Sequence, residues 1–257
     1  MAEAPRITVY IHPTCAASYE AVKRLAAEGL LDRVRLVSTA APGPVLRGAV
    51  WSVPWVLVRG EPAATDPVDP GEVVEIAAGT WQRRIVDPVE AFMSTVLHSA
   101  YAAAVAYLHG GLGPVLDEAL ASAAARSPLS GVEPRSVLEA VRERMEELYR
   151  GWEDALMRAL GISFVRETWW ATGGSLSRDQ LREMATPETV GAWLLAKASI
   201  GRGGLPARPL PPRERLEKLA GFVARGAAGL VSKIRREQER ILGDEEYWML
   251  LEKHVEG

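Results

Sequence analysis

The first 80 residues combine short apolar runs with one amphipathic segment. The run Ile7–Ile11 is rich in β-branched and aromatic residues, which predicts a strand. Apolar residues recur at helical spacing over 18–28, so this segment is predicted to be a helix. Further strands are predicted at 34–37 and 55–59, whereas the proline-rich stretch 61–71 is typical of turns. The order strand, helix, strand, loop, strand indicates a small α/β layer structure.

The pattern becomes helical after residue 86. Asp87 followed by Pro88 is a typical helix start, and the mostly apolar segment 89–109 is predicted to be one buried helix. Segment 134–160 carries an apolar stripe in steps of three and four residues, which predicts a second long helix. Residues 72–78 fit a strand and a helix equally well. Further helices are predicted after a capping box at Ser177 and Gln180, and at 186–199, 213–242 and 244–254.

These patterns predict two domains. Residues 1–80 form an α/β domain with a mixed sheet flanked by helices, and residues 86–257 form an all-α domain.

Composition and charge exclude several classes of protein. The 257 residues carry a net charge of −3, which argues against a nucleic-acid partner. The single cysteine, Cys15, excludes an intramolecular disulfide and a cysteine-rich zinc site, and we expect no bound metal. No apolar run approaches the ~18 residues of a membrane span, and residues 1–7 lack the apolar core of a signal peptide. We therefore expect a cytoplasmic protein with no membrane contact.

The polar composition bears on the source of the protein. The chain has no Asn, only 3 Gln, and 25 Arg against 5 Lys. Thermophilic proteins tend to avoid Asn and Gln, so a thermophilic source is expected. A GC-rich genome accounts for the arginine bias equally well.

The candidate chemistry lies between the first strand and the first helix, in the segment 12–18. Cys15 is expected at the helix N-terminus, where free N–H groups and the helix dipole favour a thiolate and lower the thiol pKa. Ser18 is placed to donate a hydroxyl hydrogen bond to the sulfur. His12, when protonated, would add positive charge. This segment is therefore the predicted nucleophilic site.

The order strand, Pro-x-Cys-x-x-Ser, helix, strand, and then a Val-Pro pair opening another strand, resembles the thioredoxin/glutaredoxin superfamily. The resemblance covers about residues 6–79 and implies a thioredoxin-like fold with a cis Val53–Pro54 bond. It also implies that the Val53 backbone pairs with a substrate and that Pro54 borders the sulfur. The predicted catalytic residues are Cys15 and Ser18, and the predicted substrate-binding residues are His12, Thr14, Val53, Pro54 and Trp55.

The succession of a thioredoxin-like and a helical domain resembles the glutathione S-transferase architecture. That likeness implies glutathione or another low-molecular-weight thiol as a cofactor. The family places an acidic–Ser pair after the Val-Pro strand to hold the γ-glutamyl group, and this chain has Ala64, Thr65, Asp66 and Pro67 there. Arsenate-reductase-like proteins share a cysteine after the first strand and hold the oxyanion with arginines. Arg47 and Arg59 are the candidates for that role.

Three functions follow from the residues and these resemblances, and the sequence leaves open whether the protein is an enzyme. The first is a monothiol protein, either a thiol-dependent transferase or a reductase of disulfides, acting on a small thiol, an electrophile or a protein thiol. A single cysteine needs an external thiol or an intermolecular disulfide to complete exchange, which makes a homodimer conceivable. The second is a non-catalytic binding or assembly protein in which Cys15 is an inert apolar residue. The third is oxyanion reduction of the arsenate type.

Overall fold

The computed structural model describes residues 7–40, 50–84, 86–199 and 210–256. These residues form a small mixed sheet with helices, and a larger helical part. The strands are β1 (Ile7–Ile11), β2 (Arg35–Ser38), β3 (Trp55–Val58), β4 (Glu61–Thr65) and the two-residue β5 (Val255–Glu256). The helices are α1 (Ala16–Ala27), α2 (Pro70–Ala78), α3 (Pro88–His98), α4 (Ala100–His109), α5 (Glu118–Ala125), α6 (Ser127–Ser130), α7 (Pro134–Glu143), α8 (Met145–Ala171), α9 (Arg178–Met184), α10 (Pro187–Ser199), α11 (Arg213–Leu242) and α12 (Glu245–His254).

The strand order in the sheet is β4-β3-β1-β2-β5. Strand β1 runs parallel to β2, which follows it through α1, and antiparallel to β3. Tyr10 lies opposite Trp55 in the β1–β3 pair. The turn after β1 and the residues before β3 therefore meet at one end of the sheet.

Two compact units emerge from the contacts within the chain. The first unit combines Met1–Ser99, Leu116–Glu143 and Ile241–Gly257, and the second combines Ala100–Val115 and Arg144–Arg240. The last segment belongs to the first unit and contains the two-residue strand β5. The prediction that residues 86–257 are all helical is wrong at this strand. The predicted domain division into 1–80 and 86–257 stays a prediction, because contacts do not report which segments fold on their own.

The core of the first unit is built on the buried face of β1. Val9 and Ile11 point into it, and α1 adds Val22 and Leu25 at helical spacing. Removal of these apolar side chains from water stabilises the packing of helix on sheet. Residues from the far end of the chain complete this core: Ile241, Tyr247 and Leu251.

The structure corrects the prediction for residues 61–78. The proline-rich stretch contains β4, which pairs antiparallel with β3 at the edge of the sheet; an edge strand tolerates Pro62 because it needs fewer ladder hydrogen bonds. The ambiguous segment after it is the helix α2. The Asp69 side chain accepts a hydrogen bond from the Gly71 N–H at its start, and Gly79 ends it with φ +74°.

The segment predicted as one helix over 89–109 is two helices. Asp87 caps α3 as predicted, but the backbone at Ser99 is extended and separates α3 from α4. The Ser99 hydroxyl donates to the backbone carbonyl of Trp51, and this contact holds the residue outside the helical conformation.

The segment predicted as one helix over 134–160 is also interrupted. Arg144, with φ −117° and ψ 15°, separates α7 from α8, and α8 continues to Ala171. The capping box at Ser177 and Gln180 is confirmed, with Ser177 Oγ accepting from the Gln180 N–H at 3.2 Å. The helices predicted over 186–199, 213–242 and 244–254 are confirmed within a few residues, whereas α5 was not predicted.

A buried ion pair holds the first unit together beside β4. The Glu72 carboxylate, on α2 and only 5% exposed, accepts from Arg126 Nε and Nη2 at 2.9 and 3.0 Å and from Trp81 Nε1 at 3.1 Å. Arg126 also donates to the Pro67 carbonyl at 3.2 Å. Burial on its own raises the pKa of Glu72, but the hydrogen bonds and charge of Arg126 outweigh it and leave this pKa below its usual value.

The second unit has its own buried polar cluster around Arg215, at the start of α11. Arg215 Nη2 donates to the Tyr107 carbonyl at 3.0 Å and to the Tyr149 hydroxyl, and Nε lies 2.7 Å from the Glu153 carboxylate. The guanidinium carbon lies 4.3 Å from the centre of the Tyr107 ring. The Tyr107 hydroxyl in turn donates to the Arg215 carbonyl at 3.0 Å. The cluster thus ties α4, α8 and α11 together within this unit.

No single helix among the described residues has both the length and the apolar character to cross a membrane; the consecutive pair α3 and α4 meets that criterion only when taken together across its break.

Candidate functional site

The candidate site is the turn that joins β1 to α1. The Cys15 N–H donates to the His12 carbonyl at 3.0 Å and closes the turn. Cys15 itself is the N-cap of α1, with extended backbone, and its carbonyl accepts the first helical hydrogen bond from the Tyr19 N–H at 2.9 Å. The prediction that Cys15 lies at the helix N-terminus is confirmed.

The Val53–Pro54 segment lies directly beside the cysteine. Cys15 Sγ is 3.4 Å from the Val53 carbonyl oxygen and donates a hydrogen bond to it, across 38 residues of chain. The Val53–Pro54 peptide bond is cis, as the resemblance implies, and Pro54 is buried. Two of the predicted substrate-binding residues are thus brought to the predicted nucleophile, because β1 and β3 are neighbours in the sheet.

Ser18 lies in the first turn of α1 and is fully buried. Its hydroxyl oxygen accepts a hydrogen bond from the His12 N–H at 3.3 Å. The N–H and hydroxyl of Ser18 and the N–H of Ala17 lower the pKa of the Cys15 thiol, although the sulfur does not cap the helix with a hydrogen bond. Ser18 thus influences the sulfur in the expected direction, whereas its hydrogen bond to the sulfur and its catalytic role stay predictions.

The His12 side chain turns onto Thr14. The Thr14 N–H donates to His12 Nδ1 at 3.3 Å, and Thr14 Oγ1 lies 3.1 Å from the same nitrogen. In this arrangement His12 Nδ1 is the acceptor for the Thr14 N–H. The expectation that protonated His12 adds positive charge near the thiol stays a prediction. Thr14 acts here as a partner of His12.

The expected fall in the Cys15 pKa is wrong. Cys15 is half-buried, and desolvation of its sulfur is the largest influence and raises the pKa of the thiol. The polar groups of Ser18 and Ala17 oppose this rise in pKa, and the negative charge of Asp66 adds to it. The net result is a pKa above that of an ordinary cysteine, so the resting site holds a neutral thiol. Sequence position gave the helix N-terminus correctly but did not give the solvent exposure of the sulfur.

Two residues near the cysteine were missed by the sequence analysis. Asp66 follows β4 at the same end of the sheet, and its charge reaches the Cys15 sulfur. Tyr247, on α12, donates its hydroxyl to the Pro13 carbonyl at 2.9 Å, across 234 residues of chain. The sequence analysis named Asp66 only as part of the departure from a family pattern at 64–67, and no local sequence signal marks Tyr247.

Trp55 and Trp51, which flank Val53 and Pro54, pack inside the first unit. Trp55 is 2% exposed and Trp51 3% exposed, so their rings have almost no surface to offer a ligand. The Trp51 indole N–H donates to the Asp117 carboxylate at 3.0 Å. The burial favours a packing role for both rings.

The arginine expected to hold an oxyanion lies at the other end of the sheet. Arg59 follows Val58, which pairs with Ile7 at the start of β1, whereas Cys15 follows the end of that strand. Four residues of strand separate the two ends by roughly 13 Å. Arg47 lies outside the described residues. The Arg59 candidate is therefore wrong for a site at Cys15.

The part of the chain that the structure describes contains no group of three or more His, Cys, Asp or Glu side chains that could hold a metal ion. A surface pocket of about 580 Å³ in the second unit is lined by Gly110, Pro114, Met145, Tyr149 and neighbouring residues. None of the predicted site residues lines this pocket.

Comparison with known proteins finds no matching family model, no matching curated protein and no matching solved structure.

Proposed function

We propose that the first unit is a thioredoxin-like monothiol domain whose Cys15 exchanges with small thiols and disulfides. The observation that carries this proposal is the 3.4 Å contact between Cys15 Sγ and the Val53 carbonyl. It puts a thiol next to a backbone edge that can pair with a bound thiol compound. The parallel β1–α1–β2 unit, followed by the antiparallel pair β3 and β4, is compatible with that fold.

The proposed reaction is thiol–disulfide exchange in two steps. Cys15 loses its proton to solvent, and the thiolate attacks one sulfur of a disulfide RS–SR. An Sγ–S bond forms, the S–S bond breaks, and RS⁻ leaves. A second, external thiolate R′S⁻ then attacks the R sulfur of the mixed disulfide, which gives RS–SR′ and restores the Cys15 thiolate.

The raised pKa of Cys15 limits the rate of this reaction at neutral pH. Only a small fraction of the thiol is ionised, although a thiolate of high pKa is intrinsically a strong nucleophile. Substrates whose leaving thiol has a low pKa compensate for the small thiolate fraction. We therefore expect activated disulfides to react faster than glutathione disulfide.

The experiment is intact-mass spectrometry of the native protein after incubation with 2,2′-dithiodipyridine or with glutathione disulfide. The proposal expects one added thiol per chain, released by a second thiol, and no addition to Cys15→Ser. A wild-type chain that forms no mixed disulfide with either probe while folded contradicts the proposal. The same incubation resolves a disulfide-linked homodimer by its mass.

The glutathione S-transferase-like variant of this proposal has a separate test. It expects Cys15-dependent transfer of glutathione to 1-chloro-2,4-dinitrobenzene. Failure of this assay with success of the exchange assay favours a reductase over a transferase.

The second candidate function is a non-catalytic binding or assembly protein with an inert cysteine. The neutral thiol, hydrogen-bonded to a carbonyl and held at a raised pKa, favours it. It expects Cys15→Ala to leave the biological phenotype intact, and loss of the phenotype contradicts it. Oxyanion reduction of the arsenate type is the weakest proposal, since Arg59 lies at the far end of β1.

A further inference from the structure

The first turn of α12 holds the chain on both sides of Cys15. On one side, the Tyr247 hydroxyl donates to the carbonyl of Pro13, two residues before the cysteine. On the other, the hydroxyl of Tyr19, four residues after it, donates to Asp244 Oδ2 at 2.7 Å. The contacts bracket the sulfur-bearing residue.

The residues that make these contacts are themselves fixed. Asp244 is the N-cap of α12, and its Oδ1 accepts from the Tyr247 N–H at 2.9 Å. The Tyr247 ring packs edge-on against the Tyr19 ring with centroids 4.8 Å apart. Lys23, one turn further along α1, forms ion pairs with Asp244 at 3.2 Å and with Glu246 at 2.6 Å. The first turns of α1 and α12 are therefore joined by hydrogen bonds, a ring contact and charge.

The Pro13 carbonyl takes its hydrogen bond from outside the turn. The turn uses the His12 carbonyl to accept from the Cys15 N–H, and the Cys15 carbonyl to accept from the first helical N–H. The Tyr247 side chain is 0% exposed, so a hydroxyl aimed at Pro13 replaces water there. Loss of this donor would leave a carbonyl of the cysteine-bearing turn without its partner.

We infer that Tyr247 is a positioning residue for Cys15, so that the C-terminal segment 244–254 sets the exposure and reactivity of the thiol. The hydroxyl fixes the turn in the form that seats the sulfur against the Val53 carbonyl. The inference deepens the proposed function, on which its biological meaning rests. The geometry of the turn is independent of whether any substrate is exchanged.

The test is the rate of iodoacetamide alkylation of Cys15 in the folded full-length protein as a function of pH. Tyr247→Phe removes only the hydroxyl. The freed turn lets water reach the sulfur, so the pH midpoint falls and the rate at neutral pH rises by about threefold to tenfold, since one pKa unit changes the thiolate fraction about tenfold.

Tyr107→Phe is the matched control. Tyr107 is 1% exposed, and its hydroxyl also donates to a backbone carbonyl, at 3.0 Å, but in the second unit. Both variants lose one buried hydrogen bond, whereas only Tyr247→Phe alters the Cys15 turn. We expect the control to alkylate with the wild-type rate and midpoint.

An unchanged rate and midpoint in folded Tyr247→Phe overturns the inference, and so does an equal change in Tyr107→Phe. If Tyr247→Phe does not fold, Tyr19→Phe breaks the contact on the other side of the cysteine and decides the matter by the same readout. Alkylation needs no substrate or turnover. Failure of the proposed function is read separately, from a wild-type chain that forms no mixed disulfide.

Discussion

The turn around Cys15 and the cluster around Arg215 both place polar groups among buried side chains, but they differ in how those groups are used. Arg215 directs strong, charge-assisted contacts to Tyr149, Glu153 and the Tyr107 carbonyl. Such mutual satisfaction accounts for the cluster as a source of stability. Cys15 contributes a thiol, a weak donor, to one carbonyl. Stability alone does not explain why a thiol stands there, which is why the turn is the candidate for chemistry.

The Glu72–Arg126 pair resembles the Arg215 cluster, because its buried polar groups also satisfy one another. Breaking this pair should have the largest effect on stability. Arg126→Met leaves the Glu72 carboxylate buried without its cation, which should lower the free energy of unfolding by about 3–5 kcal/mol. Urea denaturation at neutral pH measures this loss. Arg135→Met is the control, because its pair with Glu118 is exposed and should leave stability unchanged.

The pH dependence of this loss has a definite sign. The wild-type pKa of Glu72 is depressed, so the stability it contributes is present above the usual Glu pKa and is lost as pH falls through the lower folded value. In Arg126→Met, burial raises that pKa instead. The difference in stability between the two proteins should therefore shrink in acid. A constant difference from pH 7 to acid would contradict a role for the charge.

Arg215→Met should have the next largest effect. It removes the hydrogen bonds to Tyr107 and Tyr149 and the ion pair with Glu153, with an expected loss of about 1.5–3 kcal/mol. The loss is smaller than for Arg126 because Glu153 is one-third exposed and keeps some hydration. The variant should keep the wild-type alkylation rate of Cys15 when folded. Faster alkylation would show that the Arg215 cluster and the Cys15 turn are coupled and not independent.

For the Cys15 turn, the expected effects concern the ionisation of the thiol. Since burial raises the pKa of the folded thiol, the alkylation rate should rise with pH through a midpoint above that of an unfolded cysteine. The unfolded thiol ionises first, so stability should fall as pH rises between the unfolded and the folded pKa. Cys15→Ala should remove this decline. An alkylation midpoint at or below that of the urea-unfolded chain would show that folding lowers the pKa of Cys15. The thiolate predicted from the sequence would then be correct.

Ser18→Ala should give the smallest effect. Its hydroxyl lowers the pKa of Cys15, so the alkylation midpoint should rise further, by up to about one pKa unit, and the rate at neutral pH should fall. Ser136→Ala, at an exposed position on α7, is the control. A lower midpoint in Ser18→Ala would show that loosening of the turn outweighs the lost hydrogen bond.

Local signals allowed much of this arrangement to be predicted from the sequence. The β-branched run at Ile7–Ile11 and the capping box at Ser177 depend on neighbours in the chain, and so does the position of Cys15 between strand and helix. The break at Ser99 could not be predicted, because its cause is the carbonyl of Trp51, far away in sequence. The sign of the Cys15 pKa shift was missed for the same reason, since burial depends on the whole first unit.

The distance along the chain between Pro13 and Tyr247 has a consequence for synthesis. The two residues are separated by 234 positions, and the segment that carries Tyr247 joins a unit whose strands β1 to β4 all lie within the first 65 residues. A nascent chain therefore carries Cys15 without its Tyr247 contact while all the residues between them are synthesised. During that interval the thiol is more accessible to oxidants and alkylating agents than after Tyr247 has joined the first unit.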